Sequence, residues 1–396
     1  MKRPFEGIRV LDFGTNVAGP NAAAMLSDFG ADVIKIERPG TGDEARAFRP
    51  WVEGRSVMNM WLNRGKRSLS IPLGEEQSNA ALKELIKTAD VMIESFRPGV
   101  MKKFGLDYGS VSKINPRLVY CSISMFGHEG NLSKTPGYDL LAQAMTGMMD
   151  ASGYPDGPPQ RNGFSVCDYV ASHNAFGGIA MALYNREKTG EGQHVDIGLF
   201  NVGFSMNPYI ETTMLGYNST RSGDHHKSIG PYGVFSCSKG SLAIISPTPK
   251  LWASLCTLIG HEEMIDDPDF AEAGPRLQNI ERVVAVVEEW MEGFDDLSEP
   301  ERLLMESGIP CSKVLNNAEA IEKAVEDDYN TVVDMETPSG MEMKTIRARG
   351  PHIKLSATPG KVTKGSPNLG EHSAEILKEL GYGDEEIKKM TGAGGQ

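Results

Sequence analysis

What this 396-residue sequence lacks narrows it first. Its five cysteines (Cys121, Cys167, Cys237, Cys256, Cys311) are an odd number, widely spaced, with no Cys-x-x-Cys pair. That argues against a disulfide framework or a zinc knuckle and fits reduced thiols in a cytoplasm. No apolar stretch reaches the ~20 residues a membrane helix needs. The first residues, MKRPFE, lead into no apolar segment of the kind a secretion signal carries. A cytoplasmic protein with no membrane partner is expected. Basic residues are outnumbered, leaving a net charge of −13, which argues against a nucleic-acid partner. No His-x3-His or HExxH pattern occurs, so no metal site is expected. Adjacent His225 and His226 diverge on extended backbone and read as a surface turn. There is no G-x-S-x-G elbow. The turn GTNVAGP at 14–20 has the G-x4-G spacing of a phosphate loop but lacks the Lys and Ser/Thr that must follow, which counts against ATP-driven chemistry.

What is present is an alternation of short apolar runs and helical stretches. Residues 7–13 and 31–37 read as strands around an Ala-rich helix at 20–29 that stops at Gly30. A helix near 79–88 precedes a strand at 91–94, and a short helix near 109–114 precedes a strand at 117–123. This pattern predicts an α/β fold with a doubly wound parallel sheet. A helix is expected at 140–149, and another at 171–188 with its stop at Thr189-Gly190-Glu191-Gly192. A strand is expected at 194–197. Periodicity then weakens, and residues 202–223 read as a linker. Residues 224–315, with two strands around Ser238-Lys239-Gly240 and helices near 251–259 and 279–293, read as a smaller domain. Residues 318–329 read as an acidic helix. The segment 316–396 returns as a linker and the C-terminal part of the large domain begun at 1–201, and its last residues, 392–396, read as a disordered end.

Several residues carry candidate chemistry. Glu37 ends the second strand where an acid could grip a ribose, and Arg38 beside it suits a phosphate. Arg64, Lys66, Arg67, Arg97, Lys102 and Lys103 form a basic set that reads either as solvated surface or as a footprint for a multiply phosphorylated ligand. Asp168 stands at or just before a helix start, near bare N–H groups and the positive end of a dipole. It can cap that helix or act as a nucleophile. Asp139, in Gly137-Tyr138-Asp139, puts a second carboxylate at the start of the preceding helix. On the residues alone both jobs of Asp168 stay open.

The motifs GIRVLDFGTNVAGP (7–20), GADVIKIERPGTGD (30–43), KRSLSI (66–71), ADVMIESFRPGV (89–100), KTGEGQHVDI (188–197) and LGEHSAEIL (369–377) occur in this order. With them the sequence resembles the class III CoA-transferases, the family of formyl-CoA transferase and the carnitine CoA-transferases, over essentially its whole length. The resemblance implies a large Rossmann-like domain made from both chain ends, a smaller α+β domain, and two chains interlocked as a homodimer. It implies acyl-CoA and a small carboxylic acid as substrates, with no permanently bound cofactor. The family's nucleophilic aspartate falls on Asp168. Its CoA-lining residues fall on Val17, Ala18 and Arg38, on the region 71–74 (Ile71, Leu73), on Ser95, Phe96, Arg97 and Lys103, and on 136–139 (Gly137, Tyr138, Asp139). Arg38, Arg97 and Lys103 would pair with the phosphates.

Three departures stand out. Val17 replaces the glutamine of formyl-CoA transferase, which argues against oxalate and formate. Lys103 stands where relatives often carry arginine. Ser228-Ile229-Gly230-Pro231-Tyr232-Gly233 replaces that enzyme's glycine-run loop. The resemblance implies attack by Asp168 on the thioester, an acyl–aspartyl anhydride and then an aspartyl-CoA thioester, with helix-start N–H groups steadying the oxyanions. Two alternatives are α-methylacyl-CoA racemase, which shares the fold, and a CoA-binding protein without catalysis. The racemase's histidine falls on Tyr138, and tyrosine, with an ordinary pKa near 10, is a poor base.

Overall fold

The computed structural model describes residues 2–217 and 221–391. The expected disordered end at 392–396 and residues 218–220 of the expected linker lie outside the described residues. The chain forms two compact units. One draws on Met1–Thr146, Asn162–Pro208 and Ala324–Gln396, the other on Gly147–Arg161 and Tyr209–Lys323. The stretch 202–223 thus divides after residue 208, and 147–161 leaves the long first segment for the second unit.

The first unit is built on six parallel strands: β1 (Arg9–Phe13), β2 (Asp32–Glu37), β3 (Arg67–Ser70), β4 (Val91–Glu94), β5 (Val119–Ser124) and β6 (His194–Gly198). Their order is β3-β2-β1-β4-β5-β6. The central strands are buried on both faces, so they read as unbroken apolar runs rather than alternating ones. Val10, Leu11, Ile34, Leu69, Met92 and Tyr120 are almost wholly buried. Leu82 and Leu85 from helix α2 (Glu76–Thr88) pack on them, as do Ile376 and Leu377 near the end of the chain. Truncating any such leucine to alanine costs about 2–5 kcal/mol.

The chain runs from β1 outward to β3. It crosses back through α2 and builds the other half from β4. The direction reverses between β1 and β4, and in sheets of this kind ligands bind in the crevice beyond the carboxyl ends at that reversal. Helix α1 (Ala18–Asp28) opens there. Helix α3 (Asp139–Met145) is shorter than the expected 140–149. Helix α4 (Val166–Thr189) starts earlier than the expected 171, and Asp168 lies in its first turn, at the helix start as expected. It ends where Gly190 turns left-handed at φ 79°.

Part of the expected linker is helical, at Leu199–Met206 and Ile210–Met214. The first of these, LFNVGFSM, spans little more than two turns, with Asn201 and Ser205 exposed one turn apart. Leu199, Val202 and Gly203 form its buried stripe.

The second unit is α+β. Strands Tyr232–Cys237 and Gly240–Ile245 form an antiparallel hairpin, with Cys311–Lys313 added at its edge. Phe235, Leu242, Trp252, Leu255, Val283 and Val287 make its core. His225 is not the surface turn expected: it bridges to Gly233 and sets its ring edge-on to Phe235 at 5.0 Å. Among the described residues no helix is long and apolar enough to cross a membrane. No His/Cys/Asp/Glu group among them could hold a metal ion.

Candidate active site

The turn after β1 is held from beneath by buried charges. Asp12 Oδ1 accepts from Gly14 N at 2.8 Å, Asp43 Oδ1 accepts from Asn16 N at 3.0 Å, and Lys35 Nζ donates to Gly14 O. Lys35 pairs with Asp43 at 3.0 Å, and Lys66 pairs with Asp12 at 2.7 Å. Burial pulls the Lys66 ammonium down to about 8. Gly14 and Gly19 pack so closely that a Cβ on Gly14 would sit 2.9 Å from the Gly19 Cα. The G-x4-G spacing is therefore a packing device, and the lysine a phosphate loop would need is replaced by lysines spent below the turn.

This network corrects part of the basic footprint. Lys66 is buried with Asp12, and Arg64 is buried against Asp28 at 2.5 Å. Arg67 is shared among Asp32, Glu375 and Glu379. Glu37 is unavailable to a ribose, because it accepts from Arg46 Nε and Nη2 at 2.8 and 2.7 Å and from the Ser68 hydroxyl at 2.6 Å. Arg38, Arg97, Lys102 and Lys103 remain exposed and without a carboxylate partner among the described residues.

The other expected contacts follow strand ends: Val17 and Ala18 come after β1, Arg38 after β2, Ile71 and Leu73 after β3, and Ser95, Phe96 and Arg97 after β4. Thr15 N donates to Ser95 Oγ at 2.8 Å, joining the β1 and β4 ends across the reversal. Val17 and Ala18 are 7% exposed. Ile71 is wholly buried, so of that pair only Leu73 keeps exposed surface. Phe96 and Leu73 both pack half-buried on the sheet's core. Gly137 leaves room for Met125, whose Sδ would lie 2.5 Å from a Cβ there. Tyr138, 64% exposed, precedes α3.

The two carboxylates divide the work left open by the sequence. Asp139, not Asp168, caps α4: its Oδ1 accepts from Cys167 N at 2.8 Å and Asp168 N at 3.3 Å. Gln143, one turn on, donates to Asp139 Oδ2 at 2.6 Å and accepts from Asn162 N at 2.9 Å. Sequence reading missed Gln143, although its i+4 spacing from Asp139 is the signal. Val166 N and Tyr169 N are also taken, by Phe164 O and Ser165 O. The helix-start N–H groups expected to meet oxyanions are thus already engaged.

Asp168 is left half-buried, and its carboxylate has no hydrogen bond or ion pair among the described residues. Burial, and second the charge of Asp139, push it up to about 7. That outweighs the helix end, worth about 0.3–1 kcal/mol to a carboxylate. Its neighbour Tyr169 packs with Trp61 against the cluster containing Val17, which brings the start of α4 beside the β1 turn.

The first unit is thus a doubly wound sheet with Arg38, Arg97, Lys102 and Lys103 exposed and, among the described residues, no polar partner for the Asp168 carboxylate. A model of CoA-transferase family III matches residues 5–373. The acetyl-CoA:oxalate CoA-transferase of Acetobacter aceti is 35% identical over 392 residues, covering 96% of each chain. The succinyl-CoA:mesaconate CoA-transferase of Haloarcula hispanica is 35% identical over 393 residues, again covering 96% of each. A CaiB/BaiF family protein from Brucella suis superposes with a TM-score of 0.85 at 32% identity, covering 96% of this chain and 100% of its own. The chain therefore belongs to CoA-transferase family III and is a CoA-transferase acting on CoA thioesters.

Proposed function

We propose that the enzyme moves CoA from an acyl-CoA thioester to a free carboxylic acid by covalent catalysis on Asp168. The observation that carries this is the half-buried Asp168 carboxylate, which has no polar partner among the described residues. Its cap-like position is served by Asp139 instead. An Asp168 oxygen attacks the thioester carbonyl, the C–S bond breaks, and CoA thiolate leaves an acyl–aspartyl anhydride. The thiolate attacks the aspartyl carbonyl, expelling the donor acid as its carboxylate and forming a β-aspartyl-CoA thioester. The acceptor carboxylate attacks that thioester, and the thiolate then attacks the new acyl carbonyl and frees Asp168. Each bond formed is activated like the one broken, so no ATP is needed.

In this reading CoA lies along the strand ends, its phosphates near Arg38, Arg97 and Lys103, with Val17, Ala18, Leu73, Ser95, Phe96, Gly137 and Tyr138 around it. Burial of Asp168 supports the chemistry, because a poorly solvated carboxylate attacks faster once ionised. The relatives named for oxalate and mesaconate support a small carboxylic acid as acceptor.

The test incubates the protein with acyl-CoAs and traps with hydroxylamine or borohydride. A mass change on the Asp168 peptide is expected, and Asp168→Ala should bind CoA while losing turnover. Unchanged turnover in that variant would refute the route.

The working form we propose is the interlocked homodimer. Tyr138, Leu140, Leu141 and Met145 at α3 and Met181 and Tyr184 on α4 are exposed, more large apolar surface than a lone chain usually leaves in water. Sedimentation at twice the chain mass is expected, and a monomer would refute it.

A further inference from the structure

Glu94 closes β4, is 1% exposed, and takes part in no step of the transfer. Its Oε2 accepts from Phe96 N at 2.7 Å, which curls the chain back on the strand end and sets how Ser95, Phe96 and Arg97 leave the sheet. Its Oε1 accepts from Tyr120 OH at 3.4 Å. It also lies 3.3 Å from His128 Nε2, at ion-pair distance though without hydrogen-bond geometry.

His128 is anchored in turn. Its backbone N donates to Asp196 Oδ2 at 2.7 Å, and Asp196 Oδ1 accepts from Ser122 Oγ at 2.8 Å. The chain of contacts thus runs from β6 through β5 to the turn after β4. Burial disfavours a proton on His128, but the Glu94 carboxylate and then Asp196 outweigh it and raise its affinity for one. The neighbouring His194, 5.5 Å away ring to ring, is lowered instead, by burial first. Tyr120 ionises well above its ordinary range, through burial and then Glu94, so it stays neutral. Glu94 and His128 thus stand at ion-pair distance in this cluster, with Asp196 on the far side of His128.

That pair sits under the turn on which the proposed function places anionic CoA. An uncancelled carboxylate there would repel phosphates, since charge interactions in poorly solvated surroundings are screened little. His128 also stands in the segment leading from β5 toward Asp139, the cap of the helix that bears Asp168. One carboxylate thereby ties the CoA turn to the segment behind the nucleophile.

We infer that Glu94 and His128 are positioning residues for the CoA thioester: Glu94 holds the Ser95-Phe96-Arg97 turn in its binding shape, and His128 cancels the charge that doing so requires. This rests on the CoA placement proposed above.

The test measures the Kd of CoA by calorimetry, together with kcat and KM for an acyl-CoA substrate. It uses wild type, Glu94→Ala, Glu94→Gln, His128→Gln and the Glu94→Gln/His128→Gln double variant. Glu94→Ala loses the hydrogen bond to Phe96 N and should raise Kd and KM about tenfold, with kcat within about twofold of wild type. Glu94→Gln keeps an acceptor without the charge and should bind nearly as wild type does. His128→Gln leaves a bare carboxylate and should weaken binding about tenfold, a loss that the double variant restores.

A lowered melting temperature with unchanged Kd in Glu94→Ala and His128→Gln would mark a merely structural role and overturn the inference. So would a His128→Gln loss that persists in the double variant. If wild type binds no CoA, the transferase reading fails and takes this inference with it. If wild type binds and the variants match it, only this inference fails.

Discussion

Replacing Asp168 should stabilise the protein, and the size of the effect should depend on pH. Asp168 ionises at about 7 in the folded chain, against an ordinary 3.8, because it is buried and faces Asp139. Between those two values the unfolded chain has lost a proton that the folded chain still holds, so this residue's contribution to stability falls as pH rises. At about 1.4 kcal/mol per tenfold change in proton affinity, the penalty is under ~1 kcal/mol at pH 4 and about 4 kcal/mol at pH 8. Asn has nearly the same shape and cannot ionise. Asp168→Asn should therefore unfold at higher denaturant than wild type at pH 8, and the gap should close toward pH 4. Urea titrations of both proteins from pH 4 to 8 give the difference directly. An Asn variant whose advantage is absent, or the same at every pH, would refute the burial argument. The same residue would then be no better than a solvated surface carboxylate, and the case for its activation would go with it.

Wild-type kcat/KM should rise with pH around a midpoint near 7, because only the ionised Asp168 attacks; a flat profile would contradict this. Asp139→Asn keeps an acceptor for Cys167 N but removes the charge that helps hold Asp168 up, so the same midpoint should move to lower pH. Lys66→Met leaves Asp12 short of its nearest cation and should cost about 3–5 kcal/mol in urea unfolding. Arg97→Ala should raise KM for acyl-CoA and flatten its salt dependence at unchanged kcat, measured between low and high ionic strength.

The sheet was legible in the sequence because strands buried on both faces leave short apolar runs, and the glycines that stop helices mark their ends. The expected strands at 91–94 and 194–197 lie on β4 and β6 nearly to the residue. The helix at Leu199–Met206 was not legible, since its eight residues make little more than two turns, too few for a period to show. The basic set shows a different limit. A lysine looks the same in sequence whether it faces water or is buried, and only the fold shows Lys66 against Asp12 and Arg64 against Asp28 while Arg97 and Lys103 are exposed.

The pair Asp139 and Asp168 marks the division most clearly. The residues by themselves determined that two carboxylates stand near two helix starts, and the motif order determined the family. Which carboxylate caps and which stays unpaired is decided by the fold, because the cap is supplied from 29 residues away at Asp168 N rather than from the helix's own first residues. Hydrogen bonds of that kind depend on how the chain returns in space, and no local spacing encodes them. Tertiary structure brought Asp139 to the Cys167 and Asp168 N–H groups, left Asp168 half-buried without a polar partner among the described residues, and so raised its proton affinity.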